Sequence, residues 1–288
     1  MEWSVHKSEQ DASVNFVQSA FDGGMWECRF VQRDPSYAIA YVSSHSGCRH
    51  ACRFCHLTQT GQTMFTPSTI PQLIEQLDRV LEHVDSGIVP PHLNINFMAR
   101  GEALSNPLLV KDFGKFAQHA QDQTQRRGMS VRYNISTIFP LDSEGVDLVK
   151  AFGEHPVTFY WSLYALDARF RKRWLPRAQD PFVVADRLRA WQEATGREIV
   201  FHWAFIEGEN DSIAQVQEVR TWIEEQGLFG RFNLVRYNSH NARTGKEPDE
   251  DVLRSLFDEI VPAMKIGGSR IVPRVGFDVA ASCGMFIS

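Results

Sequence analysis

Cys48, Cys52 and Cys55 stand within eight residues of one another, in the run Ser43-Ser44-His45-Ser46-Gly47-Cys48-Arg49-His50-Ala51-Cys52-Arg53-Phe54-Cys55. Thiolates are soft ligands suited to iron–sulfur clusters and to zinc. The spacing C-x3-C-x2-C delivers three of them from a single loop. A four-iron cubane held this way keeps one iron without a protein thiolate, open to a small molecule. The competing chemistry is a zinc knuckle completed by His45, His50 or His56, although structural zinc usually draws on two separated ligand pairs. Cys28 and Cys283 stand apart from this run.

Positioning such a loop requires a scaffold, and the hydrophobic periodicity describes one. Extended apolar runs at Tyr37–Ser43, Leu93–Phe97, Val131–Ser136, Val157–Leu163, Ile199–Ile206 and Phe232–Tyr237 read as strands. Amphipathic stretches at Ile70–His83, Pro107–Gln121, Ser143–Phe152, Phe182–Thr195, Ser212–Glu225 and Glu250–Ala263 read as helices. Thr66-Pro67, Asn106-Pro107, Asp142 and Asp211-Ser212 supply start signals. Strand and helix alternating in this way predict βαβ units around a parallel sheet. The expected fold is α/β, a partial (β/α)6 barrel, with the cysteine loop directly after its first strand, where barrel active sites lie.

Ahead of that strand, Met25–Gln32 and Tyr37–Ser43 flank Asp34-Pro35-Ser36 and read as a short β-hairpin. Residues 1–24 are expected to be a polar lead-in and residues 25–288 one core domain with a C-terminal extension, in which Arg270–Val275 forms a short strand. The composition is that of an ordinary globular chain: 288 residues, 43% hydrophobic, 23% charged and a net charge of −5. It excludes disordered and collagen-like classes. Mild acidity argues against a general nucleic-acid coat, though not against a local basic patch. No run approaches the ~20 apolar residues of a membrane span, and Met1-Glu2-Trp3-Ser4-Val5-His6 lacks a secretory plan. Five clustered cysteines do not make a disulfide framework. The expected compartment is reducing and cytoplasmic, or host-cytoplasmic for a viral protein.

The C-x3-C-x2-C run with Phe54 before its last cysteine resembles the signature of the radical SAM superfamily. Further segments resemble the RlmN/Cfr-type rRNA adenine methyl synthases in their order along the chain. These are Val42–Cys55, Phe97–Asn106 with its Arg100-Gly101-Glu102, Ile135-Ser136-Thr137, Trp161–Ala165, Leu175-Pro176, Gly208–Ser212, Asn233–Asn238 and Gly276–Gly284. The resemblance implies a 4Fe-4S cluster on Cys48, Cys52 and Cys55, with S-adenosylmethionine (SAM) on its open iron as source of a 5′-deoxyadenosyl radical. It also implies an electron donor such as flavodoxin or ferredoxin. Gly101, Glu102, Ser136, Ser162 and Asn238 become candidates for holding SAM. Glu102 can accept hydrogen bonds from its ammonium, and the small polar groups at strand ends suit ribose and carboxylate. Each is also a residue type common in strand-end caps and turns.

Two departures shape the functional expectation. In the methyl synthases a C-terminal cysteine, matched by Cys283, carries the methyl-derived carbon, and a second cysteine seven residues before the cluster resolves the covalent adduct as a disulfide. Here that second position is Tyr41. A turn centred at Pro35-Ser36 puts Cys28 opposite Ser43 and on the same face as Tyr41, where it could supply the missing thiol; an idle, buried Cys28 is the plainer reading. The family's N-terminal RNA-binding domain has no counterpart in this chain, and Tyr164 and Ala103 replace a family histidine and proline.

These features point to a radical SAM enzyme that modifies a nucleobase of DNA or RNA by hydrogen abstraction and rearrangement, an isomerase-type reaction such as remodelling a hypermodified thymidine in viral DNA. The alternatives are an RlmN/Cfr-like adenine C-methyltransferase acting on RNA, and a zinc-stabilised nucleic-acid-binding module without catalysis. Arg169, Arg171, Lys172, Arg173 and Arg177, interleaved with Phe170 and Trp174, form the candidate phosphate-binding patch. A solvated helix start is the competing account of that charge run.

Overall fold

Strands whose outer faces are apolar and whose inner faces carry polar groups can roll into a barrel with a polar lumen, and that is the arrangement here. In a computed structural model, residues 2–241 and 243–287 are described. β1 (Ser4–Lys7), β2 (Val14–Ser19), β3 (Met25–Asp34) and β4 (Tyr37–Tyr41) form an antiparallel meander. α1 (His56–Gln59) and α2 (Ile70–Asp85) lead to β5 (His92–Phe97), and α3 (Pro107–Arg126) leads to β6 (Ser130–Thr137). α4 (Leu148–Phe152) precedes β7 (Val157–Trp161), and α5 (Ala168–Trp174) with α6 (Pro181–Thr195) precedes β8 (Ile199–Trp203). α7 (Ile213–Gln226), β9 (Gly230–Leu234), α8 (Glu250–Ile260) and β10 (Arg270–Ile271) complete the order.

β4 to β9 pair in parallel and in chain order, and β10 adds parallel to β9. This is the partial (β/α)6 barrel with its leading hairpin, extended into one ten-stranded sheet whose edges are β1 and β10. The expected polar lead-in instead contains two strands, Ser4–Lys7 and Val14–Ser19. Val14, Phe16 and Val17 are apolar enough to require cover, and pairing β2 with β3 buries them.

One apolar cluster lies between sheet and helices, joining Ala38, Ala40, Ile95, Tyr133, Ile135 and Phe159 to Leu77, Val80, Phe113, Phe116 and Trp191. α2 begins at a capping box of Thr69 and Gln72, three residues beyond the Thr66 start signal, and buries Leu73, Leu77, Val80, Leu81 and Val84. α4 is capped by Asp147 rather than Asp142, because Leu141–Ser143 forms a separate 3₁₀ turn. Among the described residues no helix is long and apolar enough to cross a membrane.

The inner face is different. Strand register places Arg29, Tyr41, Asn96 and Asn134 in one row, and Val31, Ile39, Asn94 and Arg132 in the next. His202, Asn233 and Arg270 share a third row across β8, β9 and β10. The lumen is therefore polar, and it forms the cavity described next.

Candidate active site

The cysteine loop follows β4 and is fastened to the barrel by backbone contacts. Ser44 N–H donates to the Arg100 carbonyl (2.8 Å), Cys48 N–H to that of Gln62 (3.1 Å), and His56 N–H to that of Gly284 (3.0 Å). Asn106 caps α3 through its side-chain oxygen and uses its amide nitrogen to hold the Ser44 and Ser68 carbonyls at 2.8 and 2.9 Å. Two glycines allow the close approaches. A Cβ on Gly47 would stand 2.5 Å from the Met64 carbonyl oxygen. Gly101 has φ +93°, and its Cβ would meet His45 Nδ1 and Ser44 Oγ at 2.6 Å.

The structure brings the candidate cluster, SAM and carrier residues to one cavity of about 340 Å³: Cys48, Cys52, Cys55, Gly101, Glu102, Ser136, Ser162, Asn238 and Cys283 all line it. Burial pushes the Cys48, Cys52 and Cys55 thiols up; by repulsion, Cys55 adds to the effect on Cys48, and Cys48 and Cys55 add to it on Cys52. An all-sulfur donor set held under this repulsion fits a cationic iron–sulfur centre, with Cys48, Cys52 and Cys55 as its ligands. Among the described residues no three His, Cys, Asp or Glu side chains converge on a single ion, whereas the thiolates of a cubane occupy separate irons. The histidines of the zinc alternative are engaged elsewhere. His45 stacks on Phe65 at 3.8 Å and contacts Ser44 Oγ (3.0 Å), His50 Nε2 lies 2.9 Å from Ser105 Oγ, and His56 Nε2 lies 2.9 Å from the Asn238 carbonyl.

Glu102 is buried, and burial raises its carboxyl to about 7 against the hydrogen bonds it accepts from Thr137, Ile138 N–H and Leu104 N–H. A cation brought to it would recover that desolvation cost. Asn238 is committed on both sides: its amide donates to the Cys283 carbonyl (2.9 Å), and its oxygen accepts from Arg274 Nε (2.8 Å). Its visible task is to position the Cys283 segment, a role the sequence reading did not assign.

The same segment is held from below by charges absent from that reading. Buried Glu27 pairs with Arg29 (2.7 Å) and with Arg100 (2.8 Å). Arg29 donates on to the Met285 carbonyl and Arg100 to that of Ile287, while both guanidinium groups lie over the Phe286 ring at 4.8 and 5.6 Å. Glu27 and Arg29, charged residues at alternate positions of a strand otherwise buried there, were the available signal.

Tyr41 lines the cavity, with Arg33 donating to its hydroxyl at 3.5 Å. Cys28 does not. Arg29, not Cys28, pairs with Tyr41 in register, so Cys28 points to the opposite face, fully buried in the core near Glu75 and Arg79 of α2. It is not a substitute for the second cysteine in this arrangement. The candidate phosphate patch is also largely structural. Arg171 is buried against the Leu163, Ala165 and Gln179 carbonyls, Arg173 pairs with Glu209, and Phe170 and Trp174 lie in the core. Arg169, Lys172 and Arg177 are exposed. Tyr164, at the family's histidine position, stacks on Phe54 of the cysteine loop at 4.6 Å.

No family model matches the chain. Curated relatives do. The probable dual-specificity RNA methyltransferase RlmN of Caldicellulosiruptor saccharolyticus is 25% identical over 292 residues, covering 99% of this chain and 78% of that protein. The dual-specificity RNA methyltransferase RlmN of Helicobacter hepaticus is 23% identical, covering 95% and 74%. Among solved structures, a radical SAM methyltransferase from Sphaerobacter thermophilus superposes with a TM-score of 0.82 at 20% identity, over 98% of this chain and 80% of that one. Methylornithine synthase shares the fold more distantly, with a TM-score of 0.51 at 12% identity, over 78% of this chain and 63% of that one. In sequence over nearly its whole length, and in fold, this chain is similar to the RlmN-type radical SAM methyltransferases.

Proposed function

We propose that the chain is a radical SAM enzyme that transfers a carbon to a base of RNA in the manner of its RlmN-type relatives. Cys48, Cys52 and Cys55 hold a 4Fe-4S cluster, Gly101, Glu102, Ser136 and Ser162 flank SAM, and Cys283 carries the transferred carbon. The observation that bears most weight is that Cys283 opens into the same cavity as the three loop thiols and Glu102. Bound together, cluster and SAM supply a 5′-deoxyadenosyl radical. The protein's part is positioning. The Glu102 carboxylate orients a cation, Asn238 fixes the Cys283 backbone, and Arg29 and Arg100 anchor the C-terminal segment that bears it.

One observation favours a second reading. The cavity holds Tyr41 where a resolving thiol is expected, and Cys28 faces away, so the five cysteines leave no thiol in the lumen beyond Cys283 and the loop set. A carbon bound to Cys283 then has no internal disulfide route to release. That fits hydrogen abstraction and rearrangement without methyl transfer.

Methyl-labelled SAM separates the two. Anaerobic turnover with RNA, followed by mass spectrometry of the nucleosides and of the Cys283 peptide, should put label on Cys283 or on a base. Release of 5′-deoxyadenosine with both unlabelled would refute carbon transfer and leave the rearrangement reading standing.

A further inference from the structure

At the end of the lumen away from the cysteine loop, the cavity wall is built from cations. Arg33 of β3, Arg132 of β6, Arg231 of β9 and Arg270 of β10 all line it, and among the described residues the only side-chain carboxylate lining the cavity is that of Glu102. Arg132 lies four residues before Ser136 on the same strand, about 13 Å at ~3.3 Å per residue. Arg231 is paired with Glu198 at 2.8 Å. Among the described residues Arg33, Arg132 and Arg270 have no carboxylate partner, and the hydroxyl of Tyr41 is the hydrogen-bond partner Arg33 has. Arg33 Nε is buried and unpaired, as are His202 Nδ1 and Asn233 Oδ1 beside it in the same cavity. Burial and the neighbouring Arg33 and Arg270 charges hold His202 neutral, pushing it down to about 3.

Unpaired guanidinium forks at the wall of a cavity are an anion seat. The three stand on β3, β6 and β10, so successive phosphates of one strand can engage them in turn. We propose that Arg33, Arg132 and Arg270 grip the backbone phosphates flanking a nucleotide that enters the lumen at this end, with its base directed toward Cys283. His202 and Asn233 then face that nucleotide with an open donor or acceptor each. This deepens the RNA reading above and rests on it.

The test is fluorescence anisotropy of a fluorescein-labelled single-stranded RNA on the anaerobic holoprotein, across a salt series. R33M, R132M and R270M should each weaken binding about tenfold at ~0.1 M salt. Each should also reduce the slope of log affinity against log salt by about 0.7. R126M, an exposed cation on the outer helix α3, should bind as the parent does, and Arg132 and Arg270 are exposed enough for their variants to fold. Parent-like affinity and slope in R132M and R270M would overturn the proposal, as would the absence of RNA binding by the parent. Adenosine monophosphate competing as well as the oligonucleotide would overturn the backbone assignment in favour of a single terminal phosphate. Binding is read without turnover, so a failed labelling experiment and a failed phosphate seat give different results.

Discussion

Replacing Glu27 by Gln tests whether the segment bearing Cys283 is anchored by charge. Glu27 is fully buried and is, among the described residues, the single carboxylate against two guanidinium groups, those of Arg29 and Arg100, which are themselves 2% and 0% exposed. The amide keeps the volume and loses the charge, leaving two buried cations uncompensated. Breaking a buried pair from one side costs about 3–5 kcal/mol. At about 2.1 cal/mol/K per residue over 288 residues, the unfolding entropy near the melting point is roughly 0.6 kcal/mol/K. The melting temperature should therefore fall by about 5–8 °C. The consequence reaches the active site because Arg29 and Arg100 hold the Met285 and Ile287 carbonyls, and with them the segment bearing Cys283. Anaerobic calorimetry at matched iron content gives the first quantity, and the alkylation rate of Cys283, followed by peptide mass spectrometry, gives the second. A fall of less than ~2 °C, or an unchanged alkylation rate, would refute the claim that this triad anchors the carrier cysteine.

Two further outcomes follow from the cavity. Burial raises the Glu102 carboxyl from 4.5 to about 7, so between those pH values the folded state keeps a proton that the unfolded chain has lost. Stability in the absence of SAM therefore falls as pH rises through that window, and E102Q should be more stable than the parent by about 3 kcal/mol at pH ~8, a difference that vanishes below pH ~4. The same variant should bind SAM at least ~10-fold more weakly by titration calorimetry; a parent-like pH profile of melting would exclude the assignment. G101A should lose iron after anaerobic reconstitution, because its Cβ would press into Ser44 and His45 at 2.6 Å. G128A, with φ +70° and open space around it, carries only the backbone strain of about 1–2 kcal/mol and should retain its iron. Equal iron content in the two would show that the clash is relieved without moving the loop.

What the sequence revealed and what it hid divide along a physical line. Local signals carried the barrel: β4 to β9 and helices α2, α3, α6 and α7 coincide closely with the periodic segments, α4 is shorter than expected, α1 and α5 were not among the expected helices, and Asn106 and Ser212 cap the helices they were expected to start. The cysteine loop, Glu102 and Cys283 were legible because their chemistry is unusual in type and spacing. Arg29 and Arg100 were not, since the carbonyls they hold belong to Met285 and Ile287, and no local pattern announces a contact spanning 256 residues. Polar residues recurring at every second position of buried strands, as in Asn94-Ile95-Asn96 and Asn134-Ile135-Ser136, were the readable trace of a polar lumen.

The fate of Cys28 turns on one residue of register. The Asp34–Tyr37 pair is the one expected for a turn at Pro35-Ser36, and continuing that register down the hairpin would set Cys28 opposite Ser43. Between Val31 and Asp34 the pairing shifts, so Val31 meets Ile39 and Arg29 meets Tyr41. One extra residue on a strand reverses every side chain beyond it. The shift carries Cys28 out of the lumen into the apolar core and brings Arg29 inward to meet Glu27 and the C-terminal segment. A bulge is written in backbone geometry rather than in residue type, which is why the hairpin could be placed from sequence while the face of its cysteine could not. It also ties two features of the site to one cause, since the slip that removes a second thiol from the cavity supplies the guanidinium that fastens the first.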